Sequence, residues 1–173
     1  MTLAPTIDCD RVTLRAHRVD DFAPMQRWLG DSWARYMGGP FDRDEAWRMF
    51  AADVGSWPLL GFGAWAVDLR DTGETIGQVG VNKPVHFPEI ELGWMVYPDH
   101  EGKGLAFEAA KAARDWAFGP GGLDMVVSYI HRDNARSQAL AKRLGAVEDA
   151  TAPRADGDTV DDTAVFRHHK GAA

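Results

Sequence analysis

Apolar positions along this chain switch between a period of two and a period near 3.6, and the switches divide it into strands and helices. Arg11–Arg15 alternates Val12 and Leu14 with polar neighbours and predicts a first strand. Phe22, Met25, Trp28 and Leu29 then recur at helical spacing up to Gly30, with Pro24 near the first turn, where it is tolerated. Asp42 followed by Glu45 fits a capping box, and the helix it opens places Ala46, Met49, Phe50 and Val54 on one side. Gly61–Asp68 and Glu74–Val81 predict a hairpin around the turn Arg70-Asp71-Thr72-Gly73. A proline-containing loop, residues 82–88, leads to an apolar strand carrying Ile90, Leu92, Trp94 and Val96. Beyond Pro98, Gly102 and Gly104, a helix sets Leu105, Ala109, Ala112, Ala113, Trp116 and Ala117 on one face. After the breaker Gly119-Pro120-Gly121-Gly122, Met125–His131 reads as a buried strand. Asn134 caps a last helix that Gly145 ends, and a polar hairpin connection precedes the strand Thr163–Arg167 and a frayed tail, HHKGAA.

The order of strand, two helices, three strands, helix, strand, helix and one or two further strands gives an α+β fold. It implies a central mixed, mainly antiparallel sheet of six to seven strands with helices on both faces. No repeat, low-complexity tract or linker divides the chain, so residues 1–173 form a single domain, long enough to bury roughly 70% of its unfolded surface. Hydrophobic residues at 45% and charged residues at 26% match ordinary globular usage, and no apolar run approaches the roughly 20 residues of a membrane helix. The opening MTLAPTIDCD has no basic region followed by an apolar segment, so no secretory signal is expected. A lone Cys9 forms no internal disulfide and has no base beside it; an intracellular, cytoplasmic location follows as the expectation. The net charge of −7 argues against a nucleic-acid partner and suits a cationic one.

The candidate chemistry centres on residues 89–118. A strand, a glycine loop and a helix N-terminus together make an anion site, because the first turn leaves N–H groups without partners at the positive end of the helix dipole. Gly102 and Gly104 let a phosphate approach the backbone and Lys103 lies between them; the same residues also suit a plain tight turn. Leu105 stands where a P-loop needs a hydroxyl residue after its lysine, and Glu108-Ala109 follows where GxGxxG needs a third glycine. Neither of those phosphate loops is present.

Glu91-Leu92-Gly93-Trp94-Met95-Val96, Pro98, Glu101-Gly102-Lys103-Gly104-Leu105-Ala106 and Glu108-Ala109 resemble the acetyl-CoA-binding segment of the GNAT N-acetyltransferases. The similarity is greatest to the branch of Rim-type ribosomal-protein alanine acetyltransferases. A second block, Asn134-Ala135-Arg136-Ser137 through Lys142-Arg143-Leu144-Gly145-Ala146, resembles that branch's NxxS and LG segment. Asp99 departs from the Gln or Arg of the family's phosphate loop, and Ala146 from its aromatic. The resemblance implies a sheet whose fourth and fifth strands splay to admit the pantetheine arm. It implies acetyl-CoA as co-substrate, with no metal, held by Trp94, Met95, Val96, Glu101, Gly102, Lys103, Gly104, Leu105, Ala106, Asn134, Ser137 and Arg143. Backbone N–H groups around Met95 and Val96 are the expected holders of the acetyl carbonyl.

Acetyl transfer to an amine needs a base for the amine proton and a donor for the departing thiolate. Glu91 matches the family glutamate on the acceptor side and is the candidate base, with His86 and His131 as weaker choices; its alternative is a structural carboxylate. Ser137 is the candidate donor, or an N3 hydroxyl bonded within its own helix. Trp33, Tyr36 and Met37 fall in the expected acceptor wall or simply cover the sheet. Asp156, Asp158, Asp161 and Asp162 lack metal-ligand spacing and, like the terminal His168 and His169, read as solvated charge; the four aspartates also suit a rim attracting a cationic amine. The function expected is transfer of acetyl from acetyl-CoA to a primary amine, a small molecule or a protein N-terminus, in a ternary complex. The alternative is a non-catalytic CoA or acyl-CoA binder of the same fold, and a homodimer suits the aromatic content.

Overall fold

The computed structural model describes residues 3–171. Eight strands form one sheet: β1 (Ile7–Asp8), β2 (Val12–Arg15), β3 (Ala64–Leu69), β4 (Thr75–Asn82), β5 (Glu91–Val96), β6 (Met125–His131), β7 (Val147–Glu148) and β8 (Thr163–His169). Their spatial order is β1-β2-β3-β4-β5-β6-β8-β7, antiparallel throughout except for the parallel pair β5–β6. The sheet exceeds the expected six to seven strands because β1 and β7 are two-residue pieces, too short for a period of two to announce. The helices are α1 (Phe22–Leu29), α2 (Arg43–Leu60), α3 (Leu105–Phe118) and α4 (Ala135–Arg143), with a 3-10 segment at Ser32–Met37.

Alternation along β5 separates two cores. Leu92 and Val96 pack with Leu105, Ala109, Ala113 and Ala117 of α3, whose small residues bring the helix close to the sheet. Met95 points the other way, into a cluster with Met25 and Leu29 of α1 and Ala46 and Phe50 of α2. Helices therefore cover both faces. Trp57, Trp65 and Trp116 meet edge to face with ring centroids 4.6 to 5.2 Å apart, which accounts for three of the seven tryptophans as packing.

The Asp42–Glu45 capping box forms as expected, but the inner line of α2 does not follow the expected one. Val54 is exposed and Trp57 is buried in its place, because four-residue steps drift round a helix of 3.6 residues per turn: Val54 stands about 80° from Ala46, whereas Trp57 returns to within about 20° of it. The tail is also corrected. β8 extends to His169, and His168 is buried against Ser128 of β6; only residues 172 and 173 of the expected frayed segment lie outside the described residues.

Gly77 sets how closely β4 approaches β5. A Cβ there would stand 2.1 Å from the Met95 carbonyl oxygen and 2.9 Å from Val96 Cα, both backbone atoms that cannot move aside. Gly77→Ala is expected to destabilise the protein by about 3 kcal/mol or more, read as a lower denaturant midpoint.

Candidate functional site

β5 and β6 part almost as soon as they meet. Their ladder contains the single register pair Glu91–Val127, supported by Val127 N–H donating to Ile90 O at 2.9 Å. One step on, the Ser128 hydroxyl donates to Leu92 O at 2.7 Å, a side chain bridging strands whose backbones are separating. Having given its proton to Leu92, Ser128 must accept from His168 Nε2, 3.0 Å away. Burial and the nearby Arg114 hold His168 near a pKa of about 4, so it is neutral here.

Past this point β5 is paired on one side only. Tyr97 N–H donates to Ile76 O at 2.8 Å, which fixes the alternation of the β4–β5 pair. Met95, Gly93 and Glu91 turn their peptide groups to β4, whereas Trp94 and Val96 turn theirs into the gap. Of the two residues expected to hold a carbonyl, Val96 is so oriented, Trp94 joins it, and Met95 offers its side chain instead.

The gap opens into a cavity of about 500 Å³. Its lining includes Trp94, Met95, Val96, Glu101, Gly102, Gly104, Leu105, Ala106, Asn134, Ser137 and Arg143 of the expected donor set, and Trp33, Tyr36 and Met37 of the expected acceptor wall. Gly102 and Gly104 have φ of 74° and 78°, a left-handed backbone that other residues adopt at a cost. Gly104 is the N-cap of α3 and supplies no side-chain cap. The first helical bond runs from Glu108 N–H to Gly104 O, so the N–H groups of Leu105, Ala106 and Phe107 are free toward the cavity. Across from them, Asn134 Oδ1 accepts from Ser137 N–H at 3.2 Å and caps α4, and both residues line the cavity. Two helix N-termini thus converge on one space, an arrangement suited to an anion.

Lys103 lies outside this cavity. Its ammonium donates to the Asp99 carbonyl at 2.9 Å, on the back of the loop where Arg11 bonds both Lys103 O and Glu108. The cations in the lining are instead Arg35, Arg136 and Arg143, the last stacked 3.9 Å over Phe107. Arg35 and Arg136 carried no distinguishing signal in the sequence, although Arg136 sits within the NxxS block. Asp99 does not line the cavity, nor does any of the four loop aspartates; that loop leans on the segment holding His86, through Asp156 N–H to His86 O. His131 Nδ1 accepts from the Asp133 N–H, and its ring lies tilted against Tyr36 with centroids 5.3 Å apart.

Glu91 stands on the face of β5 opposite α3. Its carboxylate folds forward over Gly93, one oxygen 3.3 Å from where a Cβ on Gly93 would be, so the missing side chain is what lets it lean toward Met95. Burial, and then the neighbouring Asp53 charge, push Glu91 up to about 8. Burial likewise raises Asp53 to about 6, although Gln78 donates to it at 2.7 Å. Sequence reading missed Asp53. The available signal was an acid on the helix line Ala46, Phe50, Trp57.

A family-wide sequence model described as an acetyltransferase (GNAT) domain matches residues 11–147. The chain belongs to the GNAT acetyltransferase family. Among solved structures it is similar to an acetyltransferase from Agrobacterium tumefaciens, with 41% identity, 96% of this chain and 95% of that one covered, and a TM-score of 0.91. A putative GNAT-family acetyltransferase from Bordetella pertussis follows at 25% identity, 95% and 99% coverage and a TM-score of 0.76. The spermidine N-acetyltransferase of Vibrio cholerae, solved with CoA and spermine, and the ribosomal L7/L12 alpha-N-protein acetyltransferase RimL, solved with coenzyme A, share the fold at 19% and 17% identity. Among curated relatives, the uncharacterized N-acetyltransferase YnaD of Bacillus subtilis is 30% identical over 46% of this chain. The chain spans about half the length of the curated relatives it matches. In this GNAT domain no described helix is long and apolar enough to cross a membrane.

Proposed function

We propose that this GNAT domain transfers an acetyl group from acetyl-CoA to a primary amine within a ternary complex. The observation that carries the reading is the β5–β6 gap opening onto two helix N-termini in one cavity. An elongated donor with a diphosphate at one end and amides along its arm fits that shape. The free N–H groups at the start of α3, with Arg136 and Arg143, hold the diphosphate, and the Trp94 and Val96 backbone pairs the arm amides and the acyl oxygen. Acetyl-CoA supplies the electrophilic thioester. Glu91 takes the amine proton from the opposite face of β5, and the Ser137 hydroxyl stabilises the sulfur as it departs. Trp33, Tyr36 and Met37 form the acceptor wall.

Within the family we assign the chain to the Rim-type branch, on the strength of the Asn134–Ala146 block. The acceptor is then a protein N-terminus or a small-molecule amine. We take the single domain to act in the cytoplasm, where acetyl-CoA is made and used. Calorimetric titration with acetyl-CoA, beside CoA, ATP and NAD, tests the donor, and thiol release with an amine panel tests the transfer. Acetyl-CoA that fails to bind while ATP or NAD does would end this reading, and binding without thiol release from any amine would favour the non-catalytic CoA-binding alternative.

Glu101 gives a further prediction. It accepts from Trp33 Nε1 at 3.0 Å and from Arg136 at 2.7 Å, so it links the acceptor wall to α4 and occupies a cation the diphosphate needs. Glu101→Gln frees Arg136 and removes a charge that repels the donor. Because Arg136 is well exposed, the expected gain is modest, about two- to fivefold tighter CoA binding at low salt, shrinking as salt rises.

A further inference from the structure

On the sheet face turned to α2 lies a polar tract that the donor cavity does not use. Asp53 falls between Phe50 and Trp57 on the inner line of α2, where an apolar side chain is the rule. Gln78 donates Nε2–H to its Oδ2 at 2.7 Å, which turns Gln78 Oε1 inward, buried and without a partner. Asn82 lies on the same face of β4; Gly80 between them has no Cβ to block it, and Asn82 Oδ1 is also buried and unpartnered. Glu91 completes the tract. Among the described residues neither Asp53 nor Glu91 has an arginine or lysine within 4.0 Å, whereas the buried Asp21 has Arg15 at 2.7 Å. Two carboxyls and two unpartnered amide oxygens therefore lie together on this face with no lysine or arginine among them. A buried carboxylate without a counter-ion is costly, and the group that answers this set is a compact cation with several N–H donors.

We propose that Asp53 is the second carboxyl of the acceptor site, taking the amine as its ammonium ion beside Glu91 and selecting amines that carry no anionic group on the adjacent carbon. This rests on the acetyltransferase reading above. Alkylamines and polyamine-type amines satisfy the tract; a free amino acid brings its own carboxylate against two others and is repelled. The ammonium charge also favours the ionised form of Glu91. A proton leaves Glu91 for solvent, and the carboxylate so formed can accept the proton of the amine. The other titratable groups that act on the pair are His17, whose charge would lower Asp53, and Tyr129, whose backbone N–H favours ionised Glu91.

The test is calorimetry at pH 7 with saturating CoA, titrating 1,3-diaminopropane and glycine in two buffers of different ionisation enthalpy. The diamine is expected to bind with release of up to about one proton, and glycine not to bind. Asp53→Asn should weaken the diamine at least about tenfold and reduce the proton release, and Asp53→Glu, which keeps the charge, should restore part of both. Thermal unfolding of each variant establishes that it is folded. Equal diamine binding by wild type and Asp53→Asn, glycine binding as well as the diamine, or no diamine binding at all would overturn the assignment. Acetyl-CoA binding is measured separately in the same preparation, and its absence would instead mark failure of the acetyltransferase reading.

Discussion

Gly104→Glu is expected to lose acetyl-CoA binding by about 100-fold or more while leaving the chain folded. Two effects combine at this position. The backbone is left-handed, with φ of 78°, so any side chain strains the turn that aims the amides of Leu105, Ala106 and Phe107 at the cavity. The added side chain starts toward the back of the loop, its Cβ 3.4 Å from Arg11 Nη2, so it disturbs the contact that holds the loop, and its carboxylate adds a negative charge at the helix N-terminus that opposes the diphosphate. Gly122 provides the comparison. It has φ of 67°, open space around its Cβ position and no place in the cavity lining. Gly122→Ala should carry a backbone cost of about 1–2 kcal/mol and bind acetyl-CoA as the wild type does. If Gly104→Glu binds acetyl-CoA normally, the diphosphate does not sit at the start of α3.

Glu91→Gln is the second large effect, expected to lower kcat by about 10²- to 10³-fold with acetyl-CoA affinity kept. The pH profile separates a base from a structural carboxyl. With Glu91 pushed up to about 8, kcat/KM of the wild type rises with pH through that region as the carboxyl ionises, and the variant lacks this limb. Stability moves in the opposite direction. The folded state keeps the Glu91 proton up to about 8, while the unfolded chain releases it near 4.5, so wild-type stability falls as pH climbs between those values. Glutamine does not titrate, and Glu91→Gln should therefore gain on the wild type by about 1–3 kcal/mol between pH 5 and pH 9 in denaturant midpoints. Turnover unchanged in the variant would remove Glu91 from the chemistry.

Much of the donor side was legible because it is built from local signals. Gly102 and Gly104 had to be glycines for the left-handed turn, Asn134 was readable as a cap, and the apolar stripe of α3 announced the helix whose N-terminus forms the site. Each of those features is decided within a few residues of chain. Lys103 was less readable: its position between two glycines is local, but the direction of its side chain depends on Asp99 O and on the loop held by Arg11. His168 misled for a related reason. A histidine near a chain end looks solvated, and its burial depends on pairing β8 with β6 and on a serine 40 positions away.

The sequence alone determined the order of strands and helices, the α+β class and the glycine loop at the head of α3, since periodicity, capping and backbone freedom act between near neighbours. The tertiary structure decided that β5 and β6 part after Leu92, that Trp94 and Val96 face the opening, and that Asp53 lies against Gln78 beside Glu91. These outcomes depend on which strands become neighbours and how their registers run, because a side chain's partner across a sheet is set by packing distances that no local pattern records.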